Sequence, residues 1–162
     1  MSKTLLLVRH AKAEFDNPYG DHERELTGKG VRAAQALGKR LQGRVEHVDL
    51  ALVSSATRTQ QTYEQLAARL DVARVEVDEQ LYFAGVGDMI SLVTALPEDA
   101  ECVLVVGHEP TISGAGHYLA APCPASSAIS FGVSTGTALV LTFEGRWADF
   151  GAAELSVVEH GL

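Results

Sequence analysis

Two kinds of hydrophobic pattern alternate along the chain. Thr4 to Val8, Leu50 to Ser54 and Cys102 to Val106 are short apolar runs rich in Leu and Val, each giving way to polar sequence. Runs of this kind predict strands covered on both faces, as in a parallel sheet. Between them apolar positions recur every three to four residues, the period of an amphipathic helix. Val31, Ala34, Leu37, Gly38 and Leu41 form one stripe, with Thr27 as its cap before Gly28. Tyr63, Leu66, Ala67 and Leu70 form a second. Ile90, Val93 and Leu96 form a third, closed by Pro97, and Ile112, Ala115, Gly116 and Leu119 a fourth, which Pro122 ends. Further on, Ala128 to Ser134, Ala138 to Phe143 and Trp147 to Ala153 read as strands, with a turn at Glu144-Gly145 between the last two. The pattern predicts an α/β three-layer sandwich: a mixed, mostly parallel sheet flanked by helices, with antiparallel strands at one edge.

No repeat, linker or low-complexity tract interrupts this layout, so the 162 residues are expected to form a single domain spanning 1–162. A net charge of −8 and a pI near 5.1 argue against nucleic acid or an anionic membrane as partner, since both would be repelled at long range. The apolar run of the N-terminus is broken by Arg9, too early for a secretory segment or a membrane span. Cys102 and Cys123 form no paired-ligand motif, and Cys102 opens an apolar run where a small buried residue fits. A cytoplasmic location is expected.

In α/β sheets, sites gather at the carboxyl ends of the strands. The first run leads into Arg9-His10, the second into Ser54-Ser55-Ala56-Thr57-Arg58, and the third into Gly107-His108-Glu109-Pro110, with Pro110 suited to the first position of a helix. Singly, a histidine at a strand end is usually a structural residue, and a surface arginine is common. Jointly, three strand ends delivering Arg9, His10, Arg58 and His108 to one rim point to a functional site. Guanidinium groups fork onto phosphate oxygens, and a neutral imidazole nitrogen is a competent nucleophile toward phosphorus. Such a cluster is also the local positive feature that an acidic protein needs to attract phosphate. Arginines can stabilise the extra charge without a metal, and none of the six histidines forms an HxH or HExxH pattern. No metal or other cofactor is expected.

These residues resemble the signatures of the histidine phosphatase superfamily, which includes the phosphoglycerate mutases. Arg9-His10-Ala11 is similar to its Arg-His-Gly triplet, and Leu7 to Glu14 is very like the opening of the compact SixA-type phosphohistidine phosphatases. Arg24-Glu25-Leu26-Thr27, with Gly30 after it, resembles their Arg-Pro-Leu-Thr segment, Glu25 standing in place of Pro. Ser54 to Thr62 resembles the second motif, and Val106 to Pro110 the third. The resemblance covers about residues 5 to 115 and implies a phosphoglycerate mutase-like fold. It implies His10 as the phosphorylated nucleophile, with Arg9, Arg24, Arg58 and His108 as phosphate ligands. Glu79 lies about where longer relatives carry a proton donor, and a surface carboxylate is the alternative reading. SixA-type members lack a dedicated acid, which suits a phosphohistidine substrate.

The expected substrate is therefore a phosphorylated protein carrying phosphohistidine, or a small phosphate ester. Rival readings are a small-molecule phosphomonoesterase or mutase-like enzyme, a non-catalytic phosphate-binding module, and a zinc hydrolase. Tyr19, Tyr82 and Phe83 fit either a pocket rim or ordinary packing.

Overall fold

The computed structural model describes residues 1–162. The chain runs β1 (Ser2–Arg9), a loop holding a 3-10 turn at Asp21–Glu23, α1 (Gly28–Gln42), β2 (His47–Val48), β3 (Leu50–Ser54) and α2 (Thr57–Ala67). It continues through β4 (Asp71–Val72), β5 (Val75–Asp78), α3 (Gln80–Phe83), α4 (Val86–Thr94), β6 (Cys102–Gly107) and α5 (Thr111–Leu119). α6 (Pro124–Ile129), β7 (Ala138–Glu144), a 3-10 turn at Trp147–Asp149 and β8 (Glu154–Val158) complete it. The main sheet has the order β5-β3-β6-β1-β7-β8. Its first four strands are mutually parallel, and β7 and β8 join antiparallel at one side. No helix is long and apolar enough to cross a membrane.

Helices on both faces explain why the central strands lack polar alternation. Leu5, Leu7, Leu50, Leu52, Val103 and Val105 pack on one side with Met89 and Val93 of α4 and Ile112 of α5. Their neighbours Leu6, Val8, Ala51, Val53, Leu104 and Val106 pack on the other with Leu37 and Leu41 of α1 and Leu66 of α2. Each such side chain contributes about 1.5–3 kcal/mol by leaving water, so the strands are fixed from both faces and their ends form a rigid rim. Register keeps those ends level: Arg9 pairs with Gly107, and Ser54 with Asp78.

Three expectations are corrected. Ala128 to Ser134 is not a strand: Cys123 caps α6 by exchanging hydrogen bonds with Ser126, Pro124 opens it, and Gly132 in the left-handed region (φ 107) breaks the chain afterwards. Trp147 to Ala153 is not a strand either. Trp147 is fully buried with its indole N–H donating to the Ala100 carbonyl at 2.7 Å, which folds the segment into a turn and delays the last strand to Glu154–Val158. Its aromatic content had the composition of a strand, but tertiary anchoring overrode it. Pro110 caps α5 and does not open it.

Candidate active site

The end of β1 is held on both sides. The Arg9 N–H donates to Thr137 O at 3.0 Å and the His10 N–H to Gly107 O at 3.1 Å, while the Gly136 N–H reaches the carbonyls of both residues. Gly136 adopts φ 71 to make that approach, a conformation that costs glycine least. The His10 ring is buried, with Nδ1 2.7 Å from the Ala11 carbonyl oxygen. A carbonyl only accepts, so Nδ1 carries the hydrogen and Nε2 of the neutral ring keeps its lone pair. Ala11 is fixed in turn: its N–H donates to Thr62 Oγ1 at 3.0 Å, and the Thr62 hydroxyl donates to the Arg58 carbonyl. Helix α2 thus sets the tautomer of a histidine that lies at the end of β1.

Arg58, in the first turn of α2, is only 5% exposed. Its Nη1 donates to the Asp21 carbonyl at 2.8 Å and Nη2 to Asp21 Oδ2 at 3.1 Å, and Nη2 also faces His108 Nδ1 at 3.5 Å. With Nδ1 facing a donor, His108 places its hydrogen on Nε2 and donates to the buried Ser54 Oγ at 2.8 Å. The rings of His10 and His108 lie 5.4 Å apart. Arg9 donates from Nη1 to the Val133 carbonyl at 2.6 Å. That carbonyl is positioned by Glu109, whose carboxylate accepts from the Val133 and Ser113 N–H groups at 3.0 and 2.7 Å. The Nε atoms of Arg9 and Arg58 are the only buried side-chain nitrogen or oxygen atoms in the molecule without a hydrogen-bond partner.

Arg24 enters from the loop between β1 and α1, donating to Asp21 Oδ1 at 2.9 Å and to the Glu14 carbonyl at 2.7 Å. Asp21 also accepts from the Tyr82 hydroxyl at 2.5 Å. Tyr82 stands edge-on to the rings of His108 and His22.

Burial sets the protonation states. It lowers His10 to a pKa of about 4, with Arg58, Arg9 and Arg24 adding to the effect and the Ala11 hydrogen bond opposing it. Burial likewise lowers His108 to about 3, reinforced by Arg58. The Tyr82 hydrogen bond, with Arg24 and Arg58, holds the Asp21 carboxyl far below the usual carboxylate range. The pocket therefore combines three guanidinium groups, two neutral imidazoles and an ionised carboxylate at its mouth. No three His, Cys, Asp or Glu side chains gather where they could hold a metal ion.

Arg9, His10, Arg24, Arg58 and His108 are thus brought together at one rim. Glu79 is not part of the cluster: it follows β5 on the same rim, but it is exposed and its carboxylate makes no hydrogen bond or ion pair. Sequence reasoning missed Asp21, Ser54, Thr62 and Glu109 as supports of the site, and left Tyr82 open between pocket rim and ordinary packing. Ser54, Thr62 and Glu109 lie within the motif segments already singled out, so their position was a usable signal. Asp21 has none, being one of several charges in a polar loop.

Residues 5–92 match the family described as histidine phosphatase superfamily (branch 1). An uncharacterised protein of Mycobacterium tuberculosis is 35% identical over 146 residues, 88% of this chain and 90% of that protein. Phosphohistidine phosphatase SixA of Escherichia coli is 28% identical over 145 residues, 88% of each chain. A solved structure from Nakamurella multipartitia, assigned as a phosphohistidine phosphatase SixA, aligns with a TM-score of 0.85 at 37% identity, covering 98% of this chain and 96% of that one.

Proposed function

This chain belongs to the histidine phosphatase superfamily, and on that premise we propose that it is a phosphohistidine phosphatase that works through phospho-His10. The observation that carries the reading is the pair of buried, unpartnered guanidinium N–H groups beside a histidine whose Nε2 is neutral and free. A buried donor without an acceptor is costly, and an oxyanion supplies the missing acceptor to Arg9 and Arg58 at once.

In the first step the phosphoryl oxygens accept hydrogen bonds from Arg9, Arg58 and Arg24. The lone pair of His10 Nε2 attacks phosphorus, and the bond to the leaving group breaks with its electrons going to that group. His10 becomes a phosphoimidazolium whose Nδ1–H stays on the Ala11 carbonyl. The dianion offsets the burial that keeps His108 neutral, so His108 takes up a proton and donates to an equatorial oxygen. Each oriented donor of this kind is worth about 3–4 kcal/mol in a transition state. Water then attacks phosphorus, its proton passes to the departing phosphate, and the P–N electrons return to Nε2.

The leaving group favours phosphohistidine over an ordinary ester. An alkoxide needs a proton as it departs; Asp21 is held ionised, and Glu79 is exposed with its carboxylate bonded to none of the site residues. An imidazole that carries a proton on its second nitrogen departs neutral without an acid. The mouth is open on the Asp21 side, with that carboxylate 54% exposed, which leaves access for a side chain presented by another protein.

Rapid-quench labelling with a radiolabelled phosphohistidine peptide tests the reading. An acid-labile, base-stable label on the wild type, absent from a folded His10→Ala variant, is expected. Turnover without any label points to direct attack by water and sinks the covalent mechanism.

A further inference from the structure

The mechanism accounts for Arg9, His10, Arg58 and His108, but it assigns nothing to the carboxylate at the mouth. Asp21 is more than an incidental counter-charge. Its two oxygens accept from Arg24, Arg58 and Tyr82 at 2.9, 3.1 and 2.5 Å, which fixes its orientation from three separate segments. A carboxylate offers about four acceptor sites, so one remains, and the side chain is 54% exposed. Asp21 and Arg24 also border a cavity of about 400 Å³ with Phe15 and Asn17, open to solvent beside the pocket. Arg58 links the two regions: its buried Nε is unpartnered, whereas its Nη2 is bonded to Asp21 and faces His108. The same guanidinium thus offers a free donor for a phosphoryl oxygen and holds the Asp21 carboxylate through Nη2, which sets the carboxylate beside the group that binds phosphate.

We propose that Asp21 forms the leaving-group subsite, accepting a hydrogen bond from the N–H of the substrate imidazole on the nitrogen not bonded to phosphorus. This rests on the phosphohistidine reading and specifies how that leaving group is recognised. The carboxylate keeps the substrate ring as a phosphoimidazolium, because an opposite charge at this range favours the protonated form. When His10 Nε2 bonds to phosphorus, the electrons of the breaking P–N bond neutralise the substrate ring. It leaves as neutral imidazole with its N–H still on Asp21, so no proton is transferred in the step. The phosphoryl group then passes between two imidazoles, one steadied at its far nitrogen by the Ala11 carbonyl and the other by Asp21. The same negative charge at the mouth disfavours leaving groups that carry a carboxylate or a second phosphate.

The groups that face Asp21 are Arg24, Arg58, Tyr82 and, across the pocket, His108, with His22 and Glu23 on its own turn. Burial holds the His108 ring neutral in the free protein, and any proton it takes up when a phosphoryl group binds acts on every substrate alike. A comparison of substrates isolates the effect. Activity is measured on a phosphohistidine peptide and on p-nitrophenyl phosphate, whose leaving group has no N–H, for wild type, Asp21→Asn and Asp21→Glu, with folding checked by thermal melts.

Asp21→Asn is expected to lose about tenfold more kcat/KM on the peptide than on p-nitrophenyl phosphate, and Asp21→Glu to recover part of the difference. In the wild type, the alkaline limb of kcat on the peptide should lie above the ring pKa of the free peptide measured by 31P NMR. In Asp21→Asn it should move about one pH unit lower. Equal losses on both substrates, or a wild-type limb that coincides with the free peptide, would overturn the inference and leave Asp21 as a prop for Arg58. A wild type that hydrolyses p-nitrophenyl phosphate but not the peptide would overturn the phosphohistidine reading itself.

Discussion

A histidine buried beside guanidinium groups resists protonation for two additive reasons, lost hydration and like charge, and both act on His10 and His108. Their pKa values of about 4 and about 3 lie well below the ordinary 6.5. Both rings should therefore stay neutral in the free protein through pH 5. Two-dimensional 1H–15N NMR of the imidazole nitrogens checks this, with the hydrogen of His10 expected on Nδ1 throughout. A ring that titrates near 6.5 would show that its pocket is hydrated. At this scale the sequence reveals Arg9, His10, Arg58 and His108, because each follows a strand end and strand ends are visible as boundaries of apolar runs. It conceals Asp21 and the bond it forms with Tyr82 across 61 residues of chain. Nothing in either local pattern encodes that meeting, which depends on where a loop folds back over the rim.

At the scale of elements, the site depends on how α1 abuts the loop that follows His10. The Thr27 hydroxyl accepts from the Gly30 N–H at 3.0 Å to cap α1, and the Thr27 N–H donates to the Lys12 carbonyl at 3.0 Å. Gly30 is the residue that permits this approach, since a Cβ there would overlap the Lys12 carbonyl oxygen. Gly30→Ala must push the Lys12 backbone away, and with it the neighbouring Ala11 carbonyl that orients His10. A stability loss of about 1–3 kcal/mol is expected from such overpacking, together with a fall in kcat. Urea unfolding and turnover on the same samples measure both, and a fully active, equally stable variant would refute the packing argument. The spacing of Thr27 and Gly30 was readable in the sequence because a capped helix start and a periodic apolar face coincide there. The region after α5 was not, because Cys123, Pro124 and the buried Trp147 act through capping and tertiary anchoring, which strand propensity does not register.

For the molecule as a whole, concentrating cations and neutral imidazoles in one rim of an acidic protein couples its stability to pH. The unfolded chain protonates His10 near 6.5, whereas the folded chain does so only near 4. Between those values unfolding takes up a proton, so stability falls as pH drops from about 6.5 towards 4. For His10 the loss between pH 7 and pH 5 is about 2 kcal/mol, or about 4–8 °C in Tm. His108, which is partly exposed, adds less. His47 acts in the opposite sense, because Asp71 and Asp49 raise its pKa and the stability it lends is lost as pH rises, but it lies in solvent where screening weakens the effect. Melting curves from pH 7 to pH 5 should therefore show a decline that flattens in a His10→Asn variant. Inorganic phosphate gives an independent lever on the same site. At about a hundredfold excess over its Kd it should add about 2.7 kcal/mol at pH 7, because it partners the two arginine N–H groups that are otherwise alone. Arg58→Ala should remove most of that gain. If phosphate raised the melting temperature of wild type and Arg58→Ala alike, the anion would be binding elsewhere, and the unpartnered guanidinium groups would lose their place as the seat of phosphate recognition.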